Sequence, residues 1–314
     1  MKSALQIIIQ YGVALTVLSN WGIKELRAEL PSGAPLQLAG TEVFEMTSRF
    51  GLRYRIFIAK PQSHPPLGGF PVLYVLDANA CFATAVESYH AHMNGPQDAG
   101  ASPMVIVGVG YPTEAPFDFV RRTWDLTTPA APEKLPPSRA PGGWPPHGGA
   151  DQFLAFLEEE VKPVVEKKFP INRRRQAIFG HSFGGLFVLH AMCARPEAFQ
   201  RYIASSPSFW WNDYALVSEL RQFLATLDQH RQPIELVITV SGVETTENRG
   251  PAASLPPTPA KEQFGNTRNF CQQLSRQQSP KFSMTYREFA GENHGSVLPV
   301  ALNFAVRLRP VNVD

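Results

Sequence analysis

A chain of 314 residues, 44% of them apolar, can bury the core of one large α/β domain or two smaller ones, and one is the reading preferred here. Its formal net charge of +2 comes without a long basic stripe interleaved with aromatics, which argues against a nucleic-acid partner. Cys81, Cys193 and Cys271 match neither a zinc-site spacing nor a disulfide framework, so they read as small buried hydrophobes, with one disulfide left open.

Met1-Lys2-Ser3 precede a mostly apolar run from Ala4 to Leu18, long enough for a signal peptide and short for a membrane span. Residues 1–30 are therefore expected to export or anchor the chain. An ordinary amphipathic helix and a cytoplasmic protein are the alternative. Residues 31–314 are expected to form a single domain with no further membrane span.

From Gly40 to Lys60 the alternation of Val43, Leu52, Tyr54, Ile56 and Ile58 about Arg49-Phe50-Gly51 predicts an antiparallel hairpin. Phe70 to Leu76 is continuously apolar, as a buried parallel strand must be. Asp77-Ala78-Asn79-Ala80 is expected to turn out of it, presenting the N–H of Asn79 to an oxyanion. A helix over Cys81 to Met93 and a strand over Met104 to Val109 follow. Thr128 to Gly149 holds seven prolines and no apolar periodicity, the pattern of a lid or binding loop. Asp151 is expected to cap the next helix, which Pro163 should kink. Arg173-Arg174-Arg175 reads as a solvated turn before the next strand.

That strand, Gln176 to Phe179, leads into Gly180-His181-Ser182-Phe183-Gly184-Gly185 and then an apolar helix. Strand, Gly-flanked turn and helix form the setting of a G-x-S-x-G nucleophile elbow. There Gly180 and Gly184 keep side chains off the tight turn, Ser182 is the nucleophile and the N–H of Phe183 the first oxyanion donor. Strand Tyr202 to Ser206 ends in Pro207 to Asn212, where Trp210 and Trp211 cannot both enter one core, so at least one should line the cleft. Strand Ile234 to Val240 precedes Glu244 and a second Pro-rich loop near 249–260. Strand Phe282 to Phe289 precedes His294. The order serine, acid, histidine, each just past a strand, gives Ser182, Glu244 and His294, with Glu247, Glu292 or no acid at all as alternatives for the second member. No metal or organic cofactor is expected.

The strings YRIFIAKP, PVLYVLDANACF, GGADQFLAFLEEEVKP, FGHSFGGLFVLHA, SPSFWWN and FAGENHGS resemble the esterase D-like branch of α/β hydrolases. Within it they look most like the trilactone siderophore esterases, which open the cyclic triserine ester of catecholate siderophores such as enterobactin and salmochelin. The resemblance implies an α/β-hydrolase fold, a mostly parallel eight-stranded sheet with helices on both faces, and a small-molecule ester substrate. It also implies that Arg121 or Arg122 meets the anionic catecholate, that Trp210 or Trp211 stacks on its ring and that a chain exported by its leader acts in the periplasm. A general carboxylesterase, thioesterase or acyltransferase is the alternative.

Overall fold

The computed structural model describes residues 36–93, 102–138, 142–247, 258–264, 267–277 and 279–309. The expected leader, residues 1–30, and most of the loop at 249–260 lie outside them. From Leu38 onward the described residues belong to one compact unit. Among them no helix is long and apolar enough to cross a membrane.

The strands are β1 (Thr41–Thr47), β2 (Arg53–Ala59), β3 (Phe70–Leu76), β4 (Val105–Gly110), β5 (Ile171–His181), β6 (Arg201–Ser205), β7 (Ile234–Ser241) and β8 (Phe282–Phe289). They form one sheet in the order β1-β2-β4-β3-β5-β6-β7-β8. Only β2 opposes its neighbours, and every pairing from β4 to β8 is parallel. The apolar runs explain the centre of the sheet, since β3 and β4 are buried at every residue. Because β4 and β5 lie on opposite sides of β3, the chain reverses its direction of progress there, and the crevice beyond the carboxyl ends of β3 and β5 is where such sheets bind ligands.

The helices are α1 (Ala78–Met93), α2 (Phe119–Asp125), α3 (Ala150–Phe156), α4 (Lys162–Lys168), α5 (Phe183–Ala194), α6 (Ala215–Ala225), α7 (Gly242–Glu247), α8 (Pro259–Phe264), α9 (Thr267–Leu274) and α10 (Val297–Val306). One face of the sheet packs Leu73, Val75, Ile203 and Val237 against α1 and α10. The other packs Tyr74, Ile178 and Tyr202 with residues of α3, α4, α5 and α6. This is the α/β-hydrolase architecture, with helices on both faces.

Three local expectations need correction. Helix α1 begins at Ala78, so Asn79 stands in its first turn and not in a loop before it. Asp151 lies inside α3 after Gly149, and its carboxylate bonds His190 in place of a helix N–H. The disturbance expected at Pro163 falls on the turn before it: the helical run from Ala150 to Lys168 is unbroken, and Leu157–Val161 widens to a π turn where the proline offers no N–H. Arg173–Arg175 belong to β5: Ile171 faces Phe70 while Gln176 faces Val72, so the arginines bulge from the edge of the ladder.

Candidate active site

Ser182 sits between β5 and α5 with φ 60° and ψ −115°, a strained backbone for a non-glycine residue, held by Ser182 N–H donating to Ser205 O and Ser208 N–H donating to Ser182 O. A methyl group at Gly180 would stand 2.2 Å from Gly184 O, and one at Gly185 would stand 2.9 Å from Ser205 O. At Gly184 the nearest atom would be 3.6 Å away. The turn therefore requires glycine at 180 and 185, and the expectation for Gly184 is corrected.

His294 follows β8 in a loop that Asn293 shapes by accepting from the N–H groups of Gly295 and Ser296. Its Nε2 lies 3.0 Å from Ser182 Oγ and its Nδ1 2.5 Å from Glu244 Oε1. Glu244 stands in α7, just past β7, and Ser241 Oγ–H donates to its Oε2 at 2.6 Å. Burial alone would raise the Glu244 pKa, but hydrogen bonds from His294, Ser241 and Ser206 overcome it and hold the carboxyl below its usual range. Glu292, the other described alternative, lies on the far side of Asn293 in the chain and makes no hydrogen bond to His294; nothing is described of the Glu247 side chain.

The N–H groups of Phe183 and Asn79 begin α5 and α1, and among the described residues neither has an acceptor. The Asn79 side chain is committed elsewhere: its Nδ2 donates to Tyr111 O and Thr113 O, and its Oδ1 accepts from Tyr111 N–H. Ser208 is a neighbour that sequence reasoning missed, its Oγ 3.4 Å from Ser182 Oγ.

The arginines are not placed as expected. Arg122 is 8% exposed, and its Nε and Nη2 donate to the two carboxylate oxygens of Asp77 at 3.0 and 2.9 Å. Burial opposes its charge, and the Asp77 carboxylate offsets this and raises the pKa. The Arg121 guanidinium lies over the rings of Tyr54 and Tyr111, donates to Arg53 O and pairs with Asp125. Asp125 is driven by burial up to about 7, against the pull of Arg121. Arg122 is committed to the fold, because it meets a carboxylate that would otherwise be left buried and alone.

Trp211 is 1% exposed and donates from Nε1 to Thr128 O, so it braces the Pro-rich segment from inside and does not line the cleft. Trp210 is half-buried. The segment itself supplies Trp144, whose ring lies 6.0 Å from that of Phe183 and 5.9 Å from that of Trp210. Nothing in the periodicity of the Pro-rich stretch signalled this residue. The three cysteines are free thiols.

A serine in a strained elbow and an imidazole bridging it to a carboxylate, on this sheet, define a serine hydrolase of the α/β class. A family model described as "Putative esterase" matches residues 47–295, and the chain belongs to that esterase family. The ferri-bacillibactin esterase BesA of Bacillus subtilis is 39% identical over 271 residues, 86% of this chain and 89% of that protein. A siderophore enterobactin esterase of Emericella nidulans is 34% identical, covering 74% of this chain and 79% of its own. The crystal structure of the BES protein from Bacillus cereus superposes with a TM-score of 0.75 at 33% identity, covering 88% of this chain and 98% of that one.

Proposed function

We propose that this chain is a serine esterase that opens the ester bonds of a catecholate trilactone siderophore of the enterobactin type through an acyl-enzyme. The observation that carries the chemistry is the position of the His294 ring, 3.0 Å from Ser182 Oγ on one side and 2.5 Å from Glu244 on the other. The substrate class is supported by the siderophore esterases to which the chain is similar over most of its length.

In this mechanism Ser182 Oγ attacks the ester carbonyl as His294 Nε2 takes its proton. Negative charge gathers on the carbonyl oxygen, where the N–H groups of Phe183 and Asn79 meet it. The proton then passes from His294 to the departing alkoxide, leaving acyl-Ser182. Water, losing its proton to His294, attacks the acyl group, and the proton returns to Ser182 Oγ as the acid leaves. Glu244 keeps the His294 tautomer that presents Nε2 as a base and stabilises the imidazolium.

The test is mass spectrometry of reactions with iron-free and ferric enterobactin, wild type beside Ser182→Ala. Linear trimer, dimer or monomer from the wild type alone is the expected result. Brisk hydrolysis of a simple aryl ester with neither siderophore cleaved would sink the substrate and keep the esterase.

A further inference from the structure

We propose that Ser208 is a further catalytic residue, whose hydroxyl donates to Ser182 Oγ as that oxygen leaves the acyl group and so speeds deacylation more than acylation. The inference rests on the esterase reading above and deepens it. The turn after β6 carries three serines, and each hydroxyl meets a different part of the site. Ser205 Oγ lies 3.2 Å from His181 Nδ1, Ser206 Oγ accepts from Ser241 N–H at 3.2 Å and hydrogen-bonds Glu244, and Ser208 Oγ lies 3.4 Å from Ser182 Oγ.

The backbone of this turn fixes Ser208 without help from its side chain. Ser206 takes a φ of 39°, strained for a non-glycine residue, and its N–H donates to Thr239 O at 2.7 Å. Ser208 N–H donates to Ser182 O at 3.2 Å, and Ser208 O accepts from Trp211 N–H at 3.1 Å. Ser208 is 4% exposed, and among the described residues its hydroxyl bonds Ser182 Oγ alone. The backbone thus holds the turn, and the buried hydroxyl is left facing the nucleophile.

Ser182 Oγ carries one hydrogen, which goes to His294 Nε2 at 3.0 Å, so Ser208 O–H is the donor to a lone pair of Ser182 Oγ. In the acyl-enzyme Oγ is an ester oxygen whose lone pair is shared with the carbonyl, and it accepts less well than a hydroxyl. Once water has added and given a proton to His294, the C–Oγ bond breaks, its electron pair passes to Oγ, and Oγ takes a proton back from His294 Nε2. Negative charge builds on Oγ during this step, and a contact that is long at 3.4 Å between two hydroxyls shortens and strengthens. Ser208 keeps its own proton throughout. Deacylation starts from the state in which this bond is weakest, while acylation starts from one in which it already exists, so the acceleration falls mainly on deacylation.

The test is rapid mixing of p-nitrophenyl butyrate, an activated ester that acylates fast, with wild type, Ser208→Ala and Ser182→Ala. Release of nitrophenolate reads acylation, and intact-protein mass spectrometry of quenched samples reads the loss of butyryl from Ser182. In Ser208→Ala the deacylation constant should fall about tenfold and the acylation constant by no more than about threefold, so that acyl-enzyme accumulates. A merely structural loss would disturb Ser182 in both steps alike. Decay of the acyl-enzyme is first order, so its constant keeps its meaning in a preparation that is only partly folded. Equal losses in the two steps, or a deacylation constant within about twofold of wild type, would overturn the role of Ser208 and leave the esterase standing. Nitrophenolate release as fast in Ser182→Ala as in wild type would sink the esterase reading and the role of Ser208 with it.

Discussion

The rings of His181 and His294 lie 4.7 Å apart, and they differ in what surrounds them. His294 is exposed between Ser182 and Glu244, whereas His181 is buried, with Nδ1 3.2 Å from Ser205 Oγ and a hydrogen bond to the backbone of His294. Burial, then the proximity of His294 and Arg122, pushes the His181 pKa down to about 3. The buried ring is neutral wherever the exposed one works.

A pH dependence of stability follows. The unfolded chain protonates His181 near 6.5 and the folded chain near 3, so its contribution is complete above the first value and is lost as pH falls toward the second. Over that window the slope of unfolding free energy against pH should be shallower in His181→Phe by up to about 1.4 kcal/mol per pH unit. Urea titrations at several pH values read this directly. Parallel slopes in the two proteins would mean that His181 takes up a proton in the fold.

His190 gives the opposite sign. Its ring nitrogens lie 2.8 Å from Glu219 Oε2 and 2.9 Å from Asp151 Oδ1, joining α5 to α6 and α3. Burial lowers its pKa, and the two carboxylates more than reverse this, so the folded value is raised. That stability is present below the unfolded value near 6.5 and is lost as pH rises through the raised one. Glu219→Gln removes one carboxylate and should move the loss to lower pH. Thermal unfolding followed from weakly acid to alkaline buffer checks it, and an unmoved profile counts against the clamp.

Arg122 separates a structural cation from a ligand contact. Removing one partner of a buried ion pair costs about 3–5 kcal/mol, so Arg122→Ala should lower the denaturation midpoint steeply, and Asp77→Asn should do the same. The two losses should be less than additive in the double variant, because the orphaned charge is then gone. A variant of native stability with a raised KM alone would return Arg122 to the substrate.

The glycines of the elbow divide in the same way. Gly180→Ala sets a methyl on a backbone carbonyl that cannot retreat, and about 3 kcal/mol or more of destabilisation is expected. Gly184→Ala makes only ordinary contacts, the nearest 3.6 Å from Asp77, in the first turn of α5 and gains up to about 1 kcal/mol of helix propensity. Soluble expression and melting temperature distinguish the pair.

Local pattern made the sheet legible: continuous apolar runs marked β3 and β4, alternation marked β2, and the residues just past β5, β7 and β8 are the ones the fold brings together at Ser182, Glu244 and His294. What stayed hidden depends on distant partners. The role of Arg122 rests on Asp77, 45 residues earlier, and on burial that its charged neighbourhood in the sequence does not suggest. Trp144 sits among prolines and glycines with no period to read, and its place beside the site comes from the rings at 183 and 210. Trp210 and Trp211 are adjacent in sequence and part company only because Thr128 O receives the second.

Glu244 decides between a triad and a dyad. Its Oε1 is 2.5 Å from His294 Nδ1, while Oε2 accepts from Ser241, so one carboxylate oxygen faces the imidazole and the other is anchored. Glu244→Gln keeps the shape and presents an amide of no net charge, which neither stabilises the imidazolium nor enforces the tautomer with its base at Nε2. In the serine-protease triad the equivalent change lowers kcat by about four orders of magnitude, and a loss of roughly 10³–10⁴ is expected here. Steady-state hydrolysis of an aryl ester measures it, with melting temperature as the control for folding. A kcat within about tenfold of wild type would leave Ser182 and His294 working as a dyad. The companion variant Ser241→Ala removes one of the hydrogen bonds that anchor the carboxylate without touching the His294 contact, so a smaller loss in kcat, on the order of one hydrogen bond or about tenfold, should accompany it.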